Sequence, residues 1–373
     1  MNERTNPAEV LGRRALNRAT LARQLLLRRS EMSPLAAIEH LVGLQAQTPH
    51  SWYVGLGTRL EGVRPEDIAD LLANRQLVRI ALMRSTIHLV SAKDCMTLRP
   101  LVQPVIERSM QGNFGKRLAG LDREALTATG RALIEAKPLT PAELGRRLAE
   151  QWPDRDPAAL AQAIRAWIPL VQVPPRGLWG RSGPIAHTSA ESWLGRPLVT
   201  DPSPDELVRR YPGAFGPATV KDIQTWCGLT RLREVVDRLR PKLVTFRDDQ
   251  SRELFDLPDA PRPDPETPAP PRFLYDYDNL LLSHADRSRF ITDAYFRQGF
   301  TADGPMPSIV LLDGFTNGTW NITRRRGTAT LTIQPFTRLS TETTTALTEE
   351  GARLLAFGAA DAESHDIEVV PPR

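Results

Sequence analysis

One arrangement of apolar and polar positions recurs three times along the chain. A residue suited to the start of a helix is followed by proline, and apolar residues then return every three or four positions, which is the spacing of one helix face. The three openings are Ser33-Pro34, Thr140-Pro141 and Gly216-Pro217. Because the intervals between them differ, the pattern predicts three similar units rather than a regular solenoid repeat.

Each opening is followed by a second helical pattern and then by two short stretches with the composition of strands. The predicted strand pairs are Leu77–Ala81 with Thr86–Val90, Leu170–Val173 with Ile185–Thr188, and Leu243–Phe246 with Glu253–Leu257. Two helices and a β-hairpin in that order are the outline of a winged helix. We therefore predict three tandem winged-helix units, with further helices at Leu11–Arg29 and Ala92–Gln111 bracing the first.

A proline-rich segment precedes the last part of the chain. Pro258–Pro271 contains seven prolines with acidic residues between them, a composition that favours an extended connector. Beyond it, alternation predicts strands at Ile309–Leu312, Gly318–Thr323 and Thr328–Pro335, and Ser340–Phe357 has a helical pattern. The expected fold class is α+β, and the C-terminal part is expected to resemble a β-barrel.

The predicted organisation has five segments. Residues 1–120 form the first winged-helix unit with its bracing helices, 121–200 the second unit and 201–257 the third. Residues 258–272 form the linker, and 273–373 the C-terminal β-rich domain.

The chain is mildly basic, and arginine carries nearly all of its positive charge. The formal net charge is +4, and lysine occurs only at positions 93, 116, 137, 221 and 242. A GC-rich genome would by itself raise the arginine content. The planar guanidinium of arginine also binds phosphate oxygens through two parallel hydrogen bonds, which lysine cannot do. The composition is therefore compatible with a nucleic-acid partner.

The sequence carries no signal for membrane insertion or secretion. No apolar run approaches the roughly 20 residues that a bilayer-spanning helix needs. The opening MNERTNPAEV lacks the apolar centre of a signal peptide, so we expect a cytoplasmic protein associated with the nucleoid. Cys95 and Cys227 belong to no CxxC pair, so we expect them to be buried as small apolar side chains and expect no metal site and no cofactor.

The stretch Gly43–Trp52, with the sequence GLQAQTPHSW, is the most informative for chemistry. Side chains two positions apart point to the same side of an extended backbone but to different sides of a helix. Pro49 disfavours a helix immediately before it. We therefore expect the amides of Gln45 and Gln47 to converge beyond the end of the first helix. Taken alone, such a pair is most often a solvated segment.

Gln45 and Gln47 stand in a series of segments that together resemble the AlkZ/YcaQ family of DNA glycosylases. The matching segments are Gly43–Trp52, Met83–Val90, Val171–Arg181, Phe215–Asp222, Tyr277–Arg289, Asp313-Gly314 and Gly318–Trp320. They keep the family's order along most of the chain. The resemblance implies tandem winged helices around a basic channel, followed by a C-terminal β-rich domain.

The same resemblance implies that Gln45 and Gln47 are the catalytic residues. The family's signature is glutamine, an apolar residue, and then glutamine or aspartate, and Gln45-Ala46-Gln47 has the glutamine–glutamine form. This form resembles the branch that protects the producer of a DNA-crosslinking antibiotic from its own product. It implies excision of bulky N7-alkylguanine adducts and/or interstrand crosslinks from double-stranded DNA.

A pair of amides is suited to this reaction because of the leaving group. N7-alkylguanine is already cationic and departs without a protein acid, which leaves an oxocarbenium-like sugar. A glutamine carbonyl can accept a hydrogen bond from the attacking water, and its NH2 group can donate elsewhere. Since an amide is not a strong base, catalysis must rest on positioning and electrostatics. We therefore expect a monofunctional glycosylase with water as its nucleophile.

Further residues are candidates for the active site and for the DNA-binding surface. Candidates for lining the active site are His50, Arg84, Thr86 and His88. Candidates for DNA contact are Arg176, Trp179 and Arg181 in the second wing and Arg324, Arg325 and Arg326 at a predicted hairpin tip. Basic wing tips commonly reach the DNA backbone or a groove. Structural roles stay open for all of them, such as packing of the wing by Trp179 or a core position for His88.

Two other classes of function stay open. A winged-helix transcriptional regulator is one, although such proteins usually dimerise on a palindrome, whereas three different units in one chain favour a monomer. A protein that binds damaged DNA without excising a base is the other. Release of free base from DNA that contains N7-methylguanine would separate the enzyme from both.

Overall fold

The computed structural model describes residues 9–301 and 306–372 of the 373-residue chain. The prediction that the N-terminus is not a signal peptide concerns residues 1–10, most of which lie outside the described residues. Among those residues that are described, no helix is both long and apolar enough to cross a bilayer.

The helices follow in chain order. They are α1 (Arg13–Arg23), α2 (Pro34–His40), α3 (Ser51–Gly57), α4 (Pro65–Ala73), α5 (Ala92–Leu101), α6 (Gln103–Phe114), α7 (Arg123–Ala136), α8 (Pro141–Ala149), α9 (Pro157–Trp167), α10 (Ala190–Leu194), α11 (Pro204–Phe215), α12 (Val220–Cys227), α13 (Leu232–Leu239), α14 (Asp293–Arg297) and α15 (Thr341–Gly358).

The strands form three sheets. They are β1 (Val10–Leu11), β2 (Leu44–Gln45), β3 (Leu77–Ala81), β4 (Ile87–Ser91), β5 (Leu170–Gln172), β6 (His187–Ser189), β7 (Val244–Asp248), β8 (Glu253–Asp256), β9 (Arg272–Leu274), β10 (Ile309–Leu312), β11 (Phe315–Arg325), β12 (Thr328–Pro335) and β13 (Ser364–Val369).

The predicted hairpins of the first and second units join into one sheet. Its strand order is β2-β4-β3-β5-β6, and β3 pairs antiparallel with β5 through Arg79 opposite Gln172. The whole of β3 is buried, since strands cover both of its edges and helices pack on its faces. The third hairpin, β7–β8, stays separate and gains the short parallel strand β1.

The C-terminal sheet is open, so the expectation of a barrel is wrong. Its order is β13-β12-β11-β10-β9, which leaves β9 and β13 at opposite edges of the described sheet. The long helix α15 covers one face, where Leu347 and Leu355 are fully buried. A helix packed across the face buries the apolar side chains of the strands without ring closure.

The predicted starts of the helices are confirmed for two of the three units. Ser33 and Thr140 cap α2 and α8 through their hydroxyls, as expected. The third opening at Gly216-Pro217 is wrong, because α12 begins later, with Thr219 as its cap. Thr219 and Asp222 bond reciprocally to each other's backbone N–H groups, a capping box that fixes the start of the helix.

The predicted bracing helices connect distant parts of the chain instead of supporting only the first unit. The first of them is α1, whose Asn17 donates to the carbonyls of Arg289 and Gly314 in the C-terminal part. The second is two helices, α5 and α6, and α6 packs along α9 of the second unit. The proline-rich segment is irregular, as predicted. It is nevertheless held to the body of the protein, because Arg18 of α1 donates to the carbonyl of Thr267.

Candidate active site

The sequence Gln45-Ala46-Gln47 forms the end of β2 and the residues after it. β2 pairs antiparallel with β4, and Gln45 lies directly opposite His88. Side chains of directly opposed residues share one face of a sheet, so the Gln45 amide and the His88 ring are neighbours. Extended backbone, rather than a helix end, therefore places the first glutamine.

The Gln45 side chain is almost enclosed, with 4 % of its surface exposed. Its Oε1 accepts a hydrogen bond of 2.6 Å from Nη2 of Arg84. Its Nε2 donates to no atom of the described chain. That nitrogen is also not among the enclosed polar atoms without a partner, so it keeps access to solvent.

Gln47 is exposed and completes the strand pair with its side chain. The backbone N–H of Ala46 donates to the carbonyl of Ile87 at 2.7 Å. The N–H of Ile87 then donates to Oε1 of Gln47 at 3.2 Å, where a further strand residue would otherwise accept. The two glutamines thus emerge together, as expected, but Gln45 is buried and Gln47 exposed.

Arg84 lies in a tight turn, Met83–Ser85, between β3 and β4. Both Arg84 and Ser85 have positive φ angles, 56° and 61°, a conformation that non-glycine residues adopt only when their surroundings enforce it. Nη1 of Arg84 donates to the carbonyl of Trp226 at the end of α12. Burial, with a smaller contribution from Arg287, lowers the Arg84 pKa to about 10, so the guanidinium stays charged at neutral pH.

Two residues of the C-terminal part hold the backbone of the motif. The hydroxyl of Tyr275 donates to the carbonyl of Gln45 at 2.9 Å. Asn279 accepts from the Gln45 N–H through Oδ1 and donates to the carbonyl of Gly43 through Nδ2, at 3.2 and 2.8 Å. The second unit also reaches the site, where Arg165 donates to the carbonyl of Ser85 at 3.5 Å.

His88 is neutral and has a defined tautomer. Its Nδ1 lies 3.0 Å from the carbonyl of Thr86, which can only accept, so Nδ1 carries the proton. Burial first, and then the nearby charge of Arg84, lower its pKa to about 3. Its Nε2 is enclosed without a partner. The Thr86 hydroxyl donates to the carbonyl of Met83 and so supports the turn.

His50 and Trp179 belong to an aromatic cluster. His50 has a φ of 72°, and its ring lies 6.2 Å from that of Trp179, which in turn lies 4.9 Å from Tyr53. Burial is the largest cause that lowers the His50 pKa. Tyr53 donates to the carbonyl of Gly177, which ties the second wing to α3. Trp179 is half-buried in this cluster, where it packs the wing, and it also lines a cleft.

The two regions predicted to contact DNA border one cleft. Its volume is about 1010 Å³, and its lining includes His50, Trp179, Arg324 and Phe357. Arg324 pairs with Asp361 at 2.9 Å.

The other arginines of those regions are not in ion pairs within the described chain. Arg176 donates to the carbonyl of Gly183, and Arg181 is exposed. Arg325 and Arg326 are exposed at the β11–β12 turn, which confirms the predicted hairpin tip.

Sequence reasoning missed Tyr275, Asn279, Trp226 and Arg165 as parts of the site. Asn279 falls inside the matching segment Tyr277–Arg289, which was the one signal that pointed to it. Trp226 contributes only a backbone carbonyl, which no side-chain pattern discloses.

Known proteins with a similar fold and sequence are DNA glycosylases. A solved structure of the DNA glycosylase AlkZ from Streptomyces sahachiroi superposes with a TM-score of 0.74, covering 97% of this chain and 100% of that one at 21% identity, so the two share their mixed α+β fold. A curated relative, an interstrand DNA cross-link repair glycosylase of the same organism, is 25% identical over 341 residues, or 85% of this chain and 88% of the relative.

The family follows from a match to a family model described as DNA glycosylase AlkZ-like, over residues 38–357. The chain belongs to the AlkZ-like DNA glycosylase family, as the sequence motifs predicted. It is therefore a DNA repair enzyme that acts on N-glycosyl bonds, and this membership favours the enzymatic prediction over the regulator and the damage-binding protein.

Proposed function

We propose that this glycosylase hydrolyses the bond between deoxyribose and a bulky N7-alkylguanine, including guanines joined in interstrand crosslinks, and that Gln45 and Gln47 are its catalytic residues. The observation that carries the proposal is the Gln45 amide, which is almost buried, fixed at its oxygen by Arg84, and open at its nitrogen. An amide held in this way has a defined direction before substrate arrives, which is the condition for electrostatic catalysis.

The reaction needs little from a protein acid or base. The C1′–N9 bond breaks, its electron pair neutralises the cationic alkylguanine, and the sugar becomes oxocarbenium-like. Water adds its oxygen to C1′ and loses a proton to solvent, which leaves free base and an abasic site. The amides orient the reacting groups, and selectivity for activated adducts follows from the ability of the base to leave.

Arginine side chains that form no ion pair in the described part of the protein support a path for DNA across the surface around the candidate site. Arg84, Arg165 and Arg176 form no ion pair within the described chain, and each donates to a carbonyl oxygen. Their charge is not neutralised by a carboxylate of the described residues, so it adds to the positive potential that attracts the DNA backbone. On this account the three helix–helix–hairpin units act as winged helices along one duplex, with the enzyme a monomer.

The DNA contacts we propose are those at the two tips that border the cleft. They are Arg176, Trp179 and Arg181 in the second wing and Arg324, Arg325 and Arg326 at the β11–β12 turn. Aromatic and arginine side chains on one cleft suit a nucleic-acid partner.

Crosslinks are proposed as substrates because of the curated relative's description as an interstrand cross-link repair glycosylase. A crosslinked base cannot rotate out of the duplex, so the site must work in an open channel, and the exposed Gln47 fits this requirement. The biological role we propose is self-resistance to a genotoxic natural product, in the cytoplasm and on nucleoid DNA.

The test is incubation of the full-length protein with a duplex that contains a single N7-methylguanine. We expect free 7-methylguanine in the supernatant by mass spectrometry, and an intact strand that breaks only after alkali, since the enzyme is proposed to be monofunctional. Strand cleavage without alkali would contradict monofunctional hydrolysis. Binding without base release would contradict the proposed function itself.

A further inference from the structure

The orientation of the Gln45 amide is fixed by the chemistry of its partner. A guanidinium has only donors, so the atom of Gln45 that it contacts at 2.6 Å must be the carbonyl oxygen. Arg84 is itself fixed, because its other terminal nitrogen donates to the carbonyl of Trp226 and its backbone lies in the strained turn before β4.

The same reasoning applies to Gln47. Its amide contacts the N–H of Ile87, which is again only a donor, so this contact also falls on the carbonyl oxygen. Both carbonyls therefore point toward the protein, and both NH2 groups point away from it. Neither NH2 group donates to an atom of the described chain.

We propose that Arg84 is a positioning residue, which holds the carbonyl of Gln45 so that the amide presents its NH2 group to the damaged nucleotide. The inference rests on the proposed function and deepens it. Gln45 then acts on the reaction as a hydrogen-bond donor, not as an acceptor for the attacking water as the sequence alone suggested. Its target is an acceptor atom of the nucleotide, and purine N3 in the minor groove has the required chemistry, since electron density flows into the base as the bond breaks.

This placement also gives a role to the charge of Arg84. A guanidinium bonded to the carbonyl polarises the amide and strengthens the donation by its NH2 group. The face around this hydrogen bond contains the neutral His88 and no carboxylate that bonds to Arg84 among the described residues, so the charge is not neutralised locally.

The decisive variant is Gln45→Glu. A glutamate keeps the oxygen that Arg84 binds but has no NH2 group. If Gln45 donates, the single-turnover rate of excision from N7-methylguanine DNA should fall about 100-fold, as for loss of a donor to a developing charge. If Gln45 accepts from water, Gln45→Glu should match or exceed the wild type, which would overturn the proposal.

Arg84 is tested by Arg84→Met, which keeps an unbranched side chain close in length to the aliphatic part of arginine and removes the donors, and by Arg84→Lys, which restores a positively charged donor group. We expect Arg84→Met to lower the single-turnover rate constant about 10- to 100-fold, because a misdirected group loses about that much. The dissociation constant for DNA should change far less than the rate, and Arg84→Lys should recover part of the rate. Arg75→Met is the matched control, since Arg75 is an exposed arginine just after α4 that also donates to a backbone carbonyl, that of Trp193 in α10.

A readout without turnover separates this inference from the proposed function. The side-chain NH2 resonances of Gln45 are assigned in 15N-glutamine-labelled protein by their loss in Gln45→Glu. Addition of a duplex with a non-hydrolysable N7-alkylguanine analogue should shift them in the wild type and not in Arg84→Met. No shift in the wild type, or equal shifts in both, would overturn the role of Arg84. A shift without base release from natural substrate would uphold the orientation and contradict the proposed function.

Discussion

At the scale of single residues, the chemistry of the site depends on which atoms carry protons. Arg84 is charged despite its burial, and His88 is neutral because of its burial. Gln45 accepts a hydrogen bond from Arg84 and lies opposite His88 in the β2–β4 register. The donor-only partner of Gln45 and the acceptor-only partner of His88 determine both side-chain orientations without any observation of hydrogen atoms.

His88 makes the stability of the fold depend on pH. Its pKa is about 3 in the folded state, compared with about 6.5 in an unfolded chain. Between these two pKa values the unfolded state carries a proton on His88 that the folded state does not. The stability that the buried, neutral His88 allows is therefore fully present above about pH 6.5 and is lost as the pH falls toward 3.

We predict that wild-type protein loses more unfolding free energy than His88→Asn between pH 6 and pH 4. The excess should be about 1.4 kcal/mol per pH unit, the value for one proton. Asparagine keeps a donor for the Thr86 carbonyl and removes the titrating ring. Urea denaturation at each pH measures the difference, and parallel curves for the two proteins would contradict the assignment of a buried, neutral His88.

At the scale of elements, local patterns predicted the strands and helices well. The strands at Leu77–Ala81, Ile309–Leu312 and Thr328–Pro335 have the predicted bounds, because alternation and turn residues act over a few positions. The extended backbone at Gln45 was also expected, from Pro49 and the spacing of the two glutamines. What could not be predicted is pairing between distant segments, such as β3 with β5, because no local property of either strand specifies its neighbour.

The same limit explains the errors about α1 and the C-terminal sheet. The partners of Asn17 lie more than 270 positions away, so its sequence shows only that it is polar and helical. Whether a five-stranded sheet closes depends on strand tilt and on what covers its faces, and alternation determines neither. Arg84 was identified as a candidate, but its bond to Gln45 required the fold.

The β11–β12 hairpin tip allows a prediction within one element. Arg325 and Arg326 are exposed and outside any ion pair of the described residues, whereas Arg324 is engaged by Asp361. We predict that Arg325→Ala/Arg326→Ala weakens DNA binding. The plot of log association constant against log salt concentration should become less steep by up to about two, close to one for each phosphate that the variant no longer neutralises.

Arg238→Ala is the matched control for the hairpin, because Arg238 is an exposed arginine paired with Asp205 on α11. Fluorescence anisotropy at several salt concentrations measures the slopes. An unchanged slope in the double variant would remove the hairpin tip from the DNA-binding surface.

At the scale of the whole molecule, the site is assembled from every part of the chain. The motif lies on β2, its backbone is held from the C-terminal part by Asn279, and Arg84 is held by Trp226 of the third unit. The adjacent Asp278 forms a fully buried ion pair with Arg59, joined through two hydrogen bonds of 2.9 and 2.8 Å. This pair fixes the C-terminal part against the end of α3.

We predict that Asp278→Asn lowers the unfolding free energy by about 3–5 kcal/mol, because the Arg59 charge stays buried without its partner. The control Glu206→Gln breaks the exposed Arg209 pair and should cost less than about 1 kcal/mol. Chemical denaturation of the full-length variants measures both. A small effect of Asp278→Asn would contradict the role of this pair in joining the two parts.

The most direct test of the catalytic assignment compares the wild type with Gln45→Ala/Gln47→Ala under single-turnover conditions, with binding to the same N7-methylguanine duplex measured in parallel. We predict unchanged affinity and a rate of base release at least about 100-fold lower in the variant. Release at the wild-type rate by a variant that lacks both amides would contradict the account.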